Sequence, residues 1–387
     1  MEFRERFVMG PDSEIYLKGN SLGRLPKRTI EVTQEVTVAQ WGERGVRAWN
    51  EGWYDAPLRI GSKIARLVGA SSDEVIVCDS TSVNLAKLAW ASLARDPNRP
   101  DILTDDTNFP SDYYVLAEVA RKFGGELRIV PTSDLASSLD DSVGLLALSH
   151  VAFKSGELLD MAGLTSLAHS RGALALWDLS HSVGALPVEL NRCGADLAVG
   201  CTYKYLNGGP GAPAFLYVRS DLVEELSNPL PGWFGHARPF QFETEYESAP
   251  GLRRFLSGTP PILSLMAVEV GVDIALEAGI DWIREHSLEL TQALRDGLRD
   301  SGLAIQTPEG SNRGSHIAIS HPEAFRISRV LLAQGIVCDF REPDTLRFGF
   351  SALYNTLAEA EESARAVVEV LRTESYRSIP EDRPSVT

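Results

Sequence analysis

The 387-residue sequence is short of several things, and each shortage narrows the choice. Its four cysteines, Cys78, Cys193, Cys201 and Cys338, are scattered with no CxxC pair. That spacing argues against a disulfide framework or a zinc site and points to a reducing, cytoplasmic setting. No run reaches the about 18 apolar residues of a membrane-spanning helix. Met1 to Gly10 alternates Glu and Arg where a signal peptide would have an apolar core. Basic residues are outnumbered, 37 Lys plus Arg against 53 Asp plus Glu, for a formal net charge of −16. A general nucleic-acid binder needs a basic face to displace counterions, so that class of partner is excluded. A local basic pocket for one small anion is not, because net charge says little about a single site. There is no P-loop for a nucleotide, no internal repeat, and no metal-ligand spacing around His169, His286 or His321.

What is present reads as a folded chain, 44% hydrophobic and 23% charged. Its middle alternates short apolar runs with helical patterns. Strands are expected at Glu74–Cys78, Asp101–Leu103, Leu127–Val130, Gly144–Ser149, Ala173–Trp177 and Leu197–Gly200. Helices are expected at Val83–Leu93, Tyr113–Phe123 and Leu164–Arg171. Strands rich in Val, Ile, Leu and Ala without polar alternation are those buried on both faces of a mainly parallel sheet. Their alternation with helices predicts an α/β fold. The ends differ. An amphipathic helix covers Lys27–Gln40, and an apolar stretch Ile262–Leu276 precedes a helix near Asp281–Asp300. Strand-like segments follow at Leu303–Thr307, Ser315–Ser320, Val337–Phe340 and Thr345–Phe350, then a helix over Leu357–Leu371. The organisation expected is a large α/β domain over 51–259 and a small α+β domain built from both termini, 1–50 and 260–373. A loosely ordered tail covers 374–387.

The most informative stretch runs from Ala175 to Gly211. One buried strand ends near Asp178 and the next leads into Thr202-Tyr-Lys204. In open α/β sheets ligands sit at the carboxyl ends of the strands. A carboxylate and a lysine there can face one cofactor from opposite sides. Pyridoxal phosphate asks for that arrangement, since its aldehyde takes a lysine amine as a Schiff base and its ring nitrogen needs a carboxylate to stay protonated. Taken alone, the pair is also compatible with a surface lysine and a turn-capping aspartate. Thr81 and Ser82 open a helix after a strand, where hydroxyls and free amides suit either capping or a phosphate.

The segments together resemble the fold-type I pyridoxal-phosphate enzymes of the class V aminotransferase superfamily, and within them the kynureninases. They are Tyr16-Leu-Lys-Gly-Asn-Ser-Leu-Gly-Arg-Leu-Pro26, Asp79-Ser-Thr-Ser-Val-Asn84, Asn108-Phe-Pro-Ser-Asp112, Thr202-Tyr-Lys-Tyr-Leu-Asn-Gly-Gly-Pro-Gly211, Gly232-Trp-Phe-Gly-His236, Ser257-Gly-Thr-Pro-Pro-Ile262, and Leu346-Arg-Phe348 with Leu353-Tyr-Asn355. The resemblance implies a large domain with a mainly parallel sheet and a small α+β domain. It makes Lys204 the Schiff-base lysine, Asp178 the ring-nitrogen partner and Tyr203 a proton carrier. His181 is placed to orient Asp178. By the same resemblance Thr81, Ser82, Tyr203, Trp233 and Thr259 reach the phosphate, the last two across a subunit interface. Phe109 stacks on the ring, Ser111 and Asp112 meet its polar edge, and Arg347 takes the substrate carboxylate. Ser149 and His150 end a strand beside the site, and Trp41, Trp49, Asn50 and Trp53 match the family near an aromatic pocket. The activity implied is hydrolysis of L-kynurenine, or a ring-modified relative, to anthranilate and L-alanine by a homodimer with shared sites and no metal. The alternative is another class V enzyme, an aminotransferase or a desulfurase. A desulfurase wants a mobile cysteine, and Cys338 is expected in a strand.

Overall fold

The computed structural model describes residues 3–11 and 14–380. A central sheet is built from β1 (Val75–Val77), β2 (Asp101–Asp105), β3 (Leu127–Val130), β4 (Val143–Ser149), β5 (Leu174–Asp178), β6 (Leu197–Gly200) and β7 (Phe215–Val218). Their order is β1-β7-β6-β5-β4-β2-β3. β2 to β6 run parallel, and β7 runs antiparallel to both its neighbours. β5, β6 and β7 are buried along their whole length, which is why their sequence shows no polar alternation. α1 (Lys27–Glu35) and α2 (Ala56–Leu67) precede β1, and the helices between the strands include α3 (Thr81–Arg95), α4 (Pro110–Lys122) and α5 (Met161–Ser170). Apolar clusters fill both faces of the sheet, one around Trp177 and Phe215, the other around Leu176 and Leu216. The adjoining residues of each strand thus point to opposite layers.

The remaining chain forms α6 (Ile262–Ala278), α7 (Ile280–Gly297), β8 (Ala304–Ile305), β9 (His316–Ser320), α8 (Ala324–Ala333), β10 (Asp339–Arg341), β11 (Thr345–Gly349) and α9 (Leu357–Thr373). Its antiparallel sheet has the order β10-β11-β9-β8. A third apolar cluster under it joins Leu290, Ile317, Phe348 and Val367 to Leu17 from the start of the chain. The N-terminal segment enters this layer directly: Ile15 and Tyr16 pair in parallel with Ile336 and Val337, and Lys18 bridges Gly349.

Four local features depart from the sequence expectation. The helix from Lys27 is regular only to Glu35 and widens into π-type turns over Val36–Arg44. α2 was not expected, since it contains Pro57 and Gly61. Pro57 sits in the first turn, where no amide is needed. Gly61 is required because a Cβ there would lie 2.1 Å from the Val75 carbonyl oxygen. β7 also escapes notice, being four apolar residues directly after a Gly-Pro-rich loop. The single strand expected at Val337–Phe340 is divided at Cys338 between two sheets. At the end of the chain Ser375–Ser378 form a 3-10 turn with Tyr376 buried, while 381–387 of the expected tail lie outside the described residues.

Candidate active site

The carboxyl ends of β1, β2, β4, β5 and β6 converge on a water-accessible cavity of about 170 Å³. Thr81, Ser82, Phe109, Ser111, Asp112, Ser149, Asp178, His181, Tyr203, Lys204 and Arg347 all line it.

Each wall has a local cause. After β1 the backbone turns at Asp79, a non-glycine residue with φ of +47°. Ser80 caps α3 by accepting from the Val83 amide at 3.3 Å. Thr81 and Ser82 then open the helix, whose first amides have no partner within it and face the cavity end. The Ser82 hydroxyl meets that of Ser111 at 2.9 Å, joining the starts of α3 and α4. After β2, Asn108 accepts from the Phe109 amide (2.8 Å) and the Ser149 hydroxyl (2.6 Å) through one oxygen. Phe109 is left 42% exposed, edge-on to Phe153. A large aromatic ring held open at a cavity wall offers its face to a planar group and is not core filling.

Asp178 ends β5, and its Oδ1 accepts from the Ser180 amide (2.8 Å) and hydroxyl (2.6 Å). The same Ser180 hydroxyl lies 3.2 Å from the Cys201 amide, so one side chain ties the end of β5 to the loop carrying Lys204. That loop is closed by Thr202 donating to the Pro213 carbonyl (2.7 Å). It is covered by Gly23, where a Cβ would lie 2.3 Å from the Lys204 carbonyl oxygen. The expected bond between His181 and Asp178 is absent, because the His181 Nε2 engages the Asn20 carbonyl at 3.0 Å instead. Ser180, the residue just before His181, orients the aspartate.

The electrostatics are those of an incomplete site. Burial pushes the Asp178 carboxyl above its usual range, and the nearby Lys204 opposes that. Burial and Asp178 together push Asp112 well above it. Among the described residues the Asp178 carboxylate takes its hydrogen bonds from Ser180 alone. Burial and Lys204 push His181 well down, keeping its imidazole neutral. Burial pushes the Tyr203 hydroxyl well above its usual range, so it retains its proton.

Arg347 lies on β11, wholly buried, opposite Asp339 on β10. Its Nη2 pairs with Asp339 and its Nη1 donates to the Phe153 carbonyl, while Nε has no partner. Asp339 also faces Arg341 (3.0 Å) and Lys18 (3.8 Å). Sequence reasoning passed over Asp339, Arg341, Ser180 and Asn20. Asn20 has the plainest signal in the structure: it lines the cavity, is 1% exposed, and neither polar atom of its carboxamide has a partner.

Trp233 and Thr259 are not brought into the cavity. Trp233 stands among Phe234, Phe240 and Phe242 on an exposed loop. Thr259 shares an apolar surface groove with Trp41, Trp49 and Trp53. His150 is buried edge-on to Trp177, and burial pushes it down to about 4. Among the described residues no cluster of three metal-ligating side chains occurs and no helix is long and apolar enough to cross a membrane.

The donor set fits pyridoxal phosphate: hydroxyls and free amides at a helix start, a ring platform, a buried carboxylate and a lysine. A strand-end lysine facing a buried carboxylate across such a cavity is the plan of a pyridoxal-phosphate enzyme. Residues 15–338 match the family described as Aminotransferase class-V. Kynureninase from Pseudomonas fluorescens is 41% identical, over 96% of this chain and 92% of its own. Kynureninase from Burkholderia mallei is 40% identical, over 97% and 93%. The chain therefore belongs to the kynureninase family of class V aminotransferase-like proteins. Solved structures of cysteine desulfurases share the fold. The one from Thermococcus onnurineus NA1 superimposes with a TM-score of 0.83 at 20% identity, covering 94% of this chain and 96% of its own. The one from Escherichia coli gives 0.82 at 20% identity, covering 96% and 98%.

Proposed function

We propose that this chain hydrolyses the Cβ–Cγ bond of L-kynurenine, with water, to anthranilate and L-alanine. The observation that carries the reading is one cavity holding Asp178 at the end of β5, Lys204 on the loop after the adjacent β6, and Arg347 from the second sheet. When bound, pyridoxal phosphate supplies an aldehyde that joins an amine and a ring that accepts an electron pair. Thr81, Ser82 and the first amides of α3 hold its phosphate, and Phe109 stacks on its ring. Asp178, kept in place by Ser180, holds a proton on the ring nitrogen. Lys204 would supply the amine for the aldehyde and would act as the general base at the substrate Cα. Tyr203 holds a proton beside it for delivery to the departing carbon. Arg347 and the unpaired carboxamide of Asn20 bind the substrate α-carboxylate; a planar guanidinium suits that group.

The division of labour follows the chain. Residues 51–259 supply the groups for the cofactor, while 1–50 and 260–373 supply Asn20 and Arg347, the groups for the substrate carboxylate. A homodimer in the cytoplasm accounts for Trp233 and Thr259: both sit on exposed surface outside their own cavity, where a second copy would receive them. A desulfurase reading is disfavoured by Cys338. It lies between strands outside the cavity, and burial with Asp339 nearby pushes its thiol up to about 12.

The test is incubation of the purified, cofactor-loaded chain with L-kynurenine and, separately, 3-hydroxykynurenine, following product fluorescence and L-alanine. Equimolar L-alanine is expected, with none from Lys204→Ala. No product from either compound, with sulfide released from L-cysteine, would favour the desulfurase reading instead.

A further inference from the structure

One buried charge takes no part in the chemistry above. Lys87, on α3, has a side chain with no exposure at all. Its ammonium donates to Asp79 Oδ2 (2.7 Å), the Phe255 carbonyl (2.8 Å) and Ser257 Oγ (2.9 Å). An ammonium has three N–H groups, and all three are used. Burying one is costly unless every donor is satisfied, so the geometry around it is narrowly defined. Asp79 holds the strained turn that delivers Thr81 and Ser82, and its backbone carbonyl is fixed to the neighbouring strand through the Ala214 amide (2.8 Å). Ser257 in turn donates to the Leu230 carbonyl (2.6 Å) and accepts, through its own carbonyl, from the Phe234 amide (3.3 Å). Gly232 packs so closely there that a Cβ would lie 2.2 Å from the Ser257 carbonyl oxygen. Lys87 therefore joins the turn bearing Thr81 and Ser82 to the segments bearing Trp233 and Thr259.

We propose that Lys87 is a positioning residue for the cofactor phosphate, setting the Thr81-Ser82 turn through Asp79 and locking it to the 230–235 and 255–259 segments through Ser257. The inference rests on the assignment of the phosphate to Thr81 and Ser82. It touches neither the ring, Asp178 nor Lys204, so its loss weakens the hold on the phosphate alone.

The experiment titrates full-length apoprotein with pyridoxal 5′-phosphate and with pyridoxal, which keeps the aldehyde and ring but lacks the phosphate. Absorbance of the bound compound gives each Kd, and the ³¹P shift reports the phosphate surroundings. Lys87→Met is expected to raise the Kd for pyridoxal 5′-phosphate about tenfold, the scale of lost charge-assisted hydrogen bonds, with pyridoxal within about twofold and a displaced ³¹P signal. Equal loss for both compounds, or no loss, overturns the proposal. Should circular dichroism show Lys87→Met unfolded, Ser257→Ala, which removes one hydroxyl, decides: the affinity ratio is expected to fall about threefold, and an unchanged ratio overturns it. Thr81→Ala/Ser82→Ala separates the two levels. If that variant leaves the ratio unchanged, the phosphate lies elsewhere and both readings fall. If it lowers the ratio while Lys87→Met does not, only the role of Lys87 falls.

Discussion

Replacing Asp339 with asparagine tests how the substrate end of the cavity is held. Asp339 is 1% exposed and Arg347 2%, and they face each other across β10 and β11. Arg341 and Lys18 also point at this carboxylate, but their side chains keep 31% and 20% exposure and can turn to water. Arg347 cannot, since its remaining bond is to the Phe153 carbonyl. Removing one partner of a buried ion pair strands the other at a cost of about 3–5 kcal/mol. Asparagine restores one neutral hydrogen bond, so Asp339→Asn is expected to lose about 3 kcal/mol in urea denaturation, with the slope unchanged. Because both members of the pair are buried, the loss should change little between low and high salt. In a double-mutant cycle with Arg347→Met, the combined loss should fall short of the sum by at least about 2 kcal/mol. KM for L-kynurenine should rise about tenfold as the guanidinium loses its anchor, with kcat less affected. Additive losses, or a loss abolished by salt, would refute the pairing.

Two further outcomes are expected. Asn20→Ala should raise KM several-fold while leaving the cofactor spectrum unchanged, since the carboxamide has no bond to lose within the protein; an unchanged KM in a folded variant would remove Asn20 from the carboxylate site. His316 is wholly buried, and burial and then Arg347 push it down to about 3. It stays neutral when folded but takes a proton in the unfolded chain below about pH 6.5, so stability is lost as the pH is lowered through this window, by about 1.4 kcal/mol per unit. His316→Gln should remove that share of the slope between about pH 6 and 4, and identical slopes for the two proteins would show that His316 titrates alike in both states.

How much was legible in the sequence follows from how local each signal is. Asp178 stands out because it ends an apolar strand, and Lys204, Thr81 and Ser82 because each closely follows one. The helices α3, α4 and α9 are within a few residues of expectation, since each is long and carries an apolar periodicity. Asp339 was read as one residue of a strand; only the pairing with β11 sets it against Arg347. Asn20 lies in a quoted segment, yet its isolation is a property of what surrounds it. Lys87 looks like a solvent-facing lysine on a helix until residues 255–257, far along the chain, cover it. His181 lines the cavity, but its Nε2 engages the Asn20 carbonyl, a partner from the start of the chain that no local pattern announces.

The pairing of Ile15 and Tyr16 with Ile336 and Val337 has a consequence for how the protein is made. The lysine loop is covered by Gly23, and the N-terminal segment carrying Gly23 is held by a strand that leaves the ribosome some 300 residues later. The wide α/β layer can fold while synthesis continues, but the cleft above Lys204 cannot be closed, nor Arg347 delivered to it, until nearly the whole chain has emerged. A nascent or C-terminally truncated chain thus carries Lys204 without Gly23 held above it and without Arg347 in the same cavity.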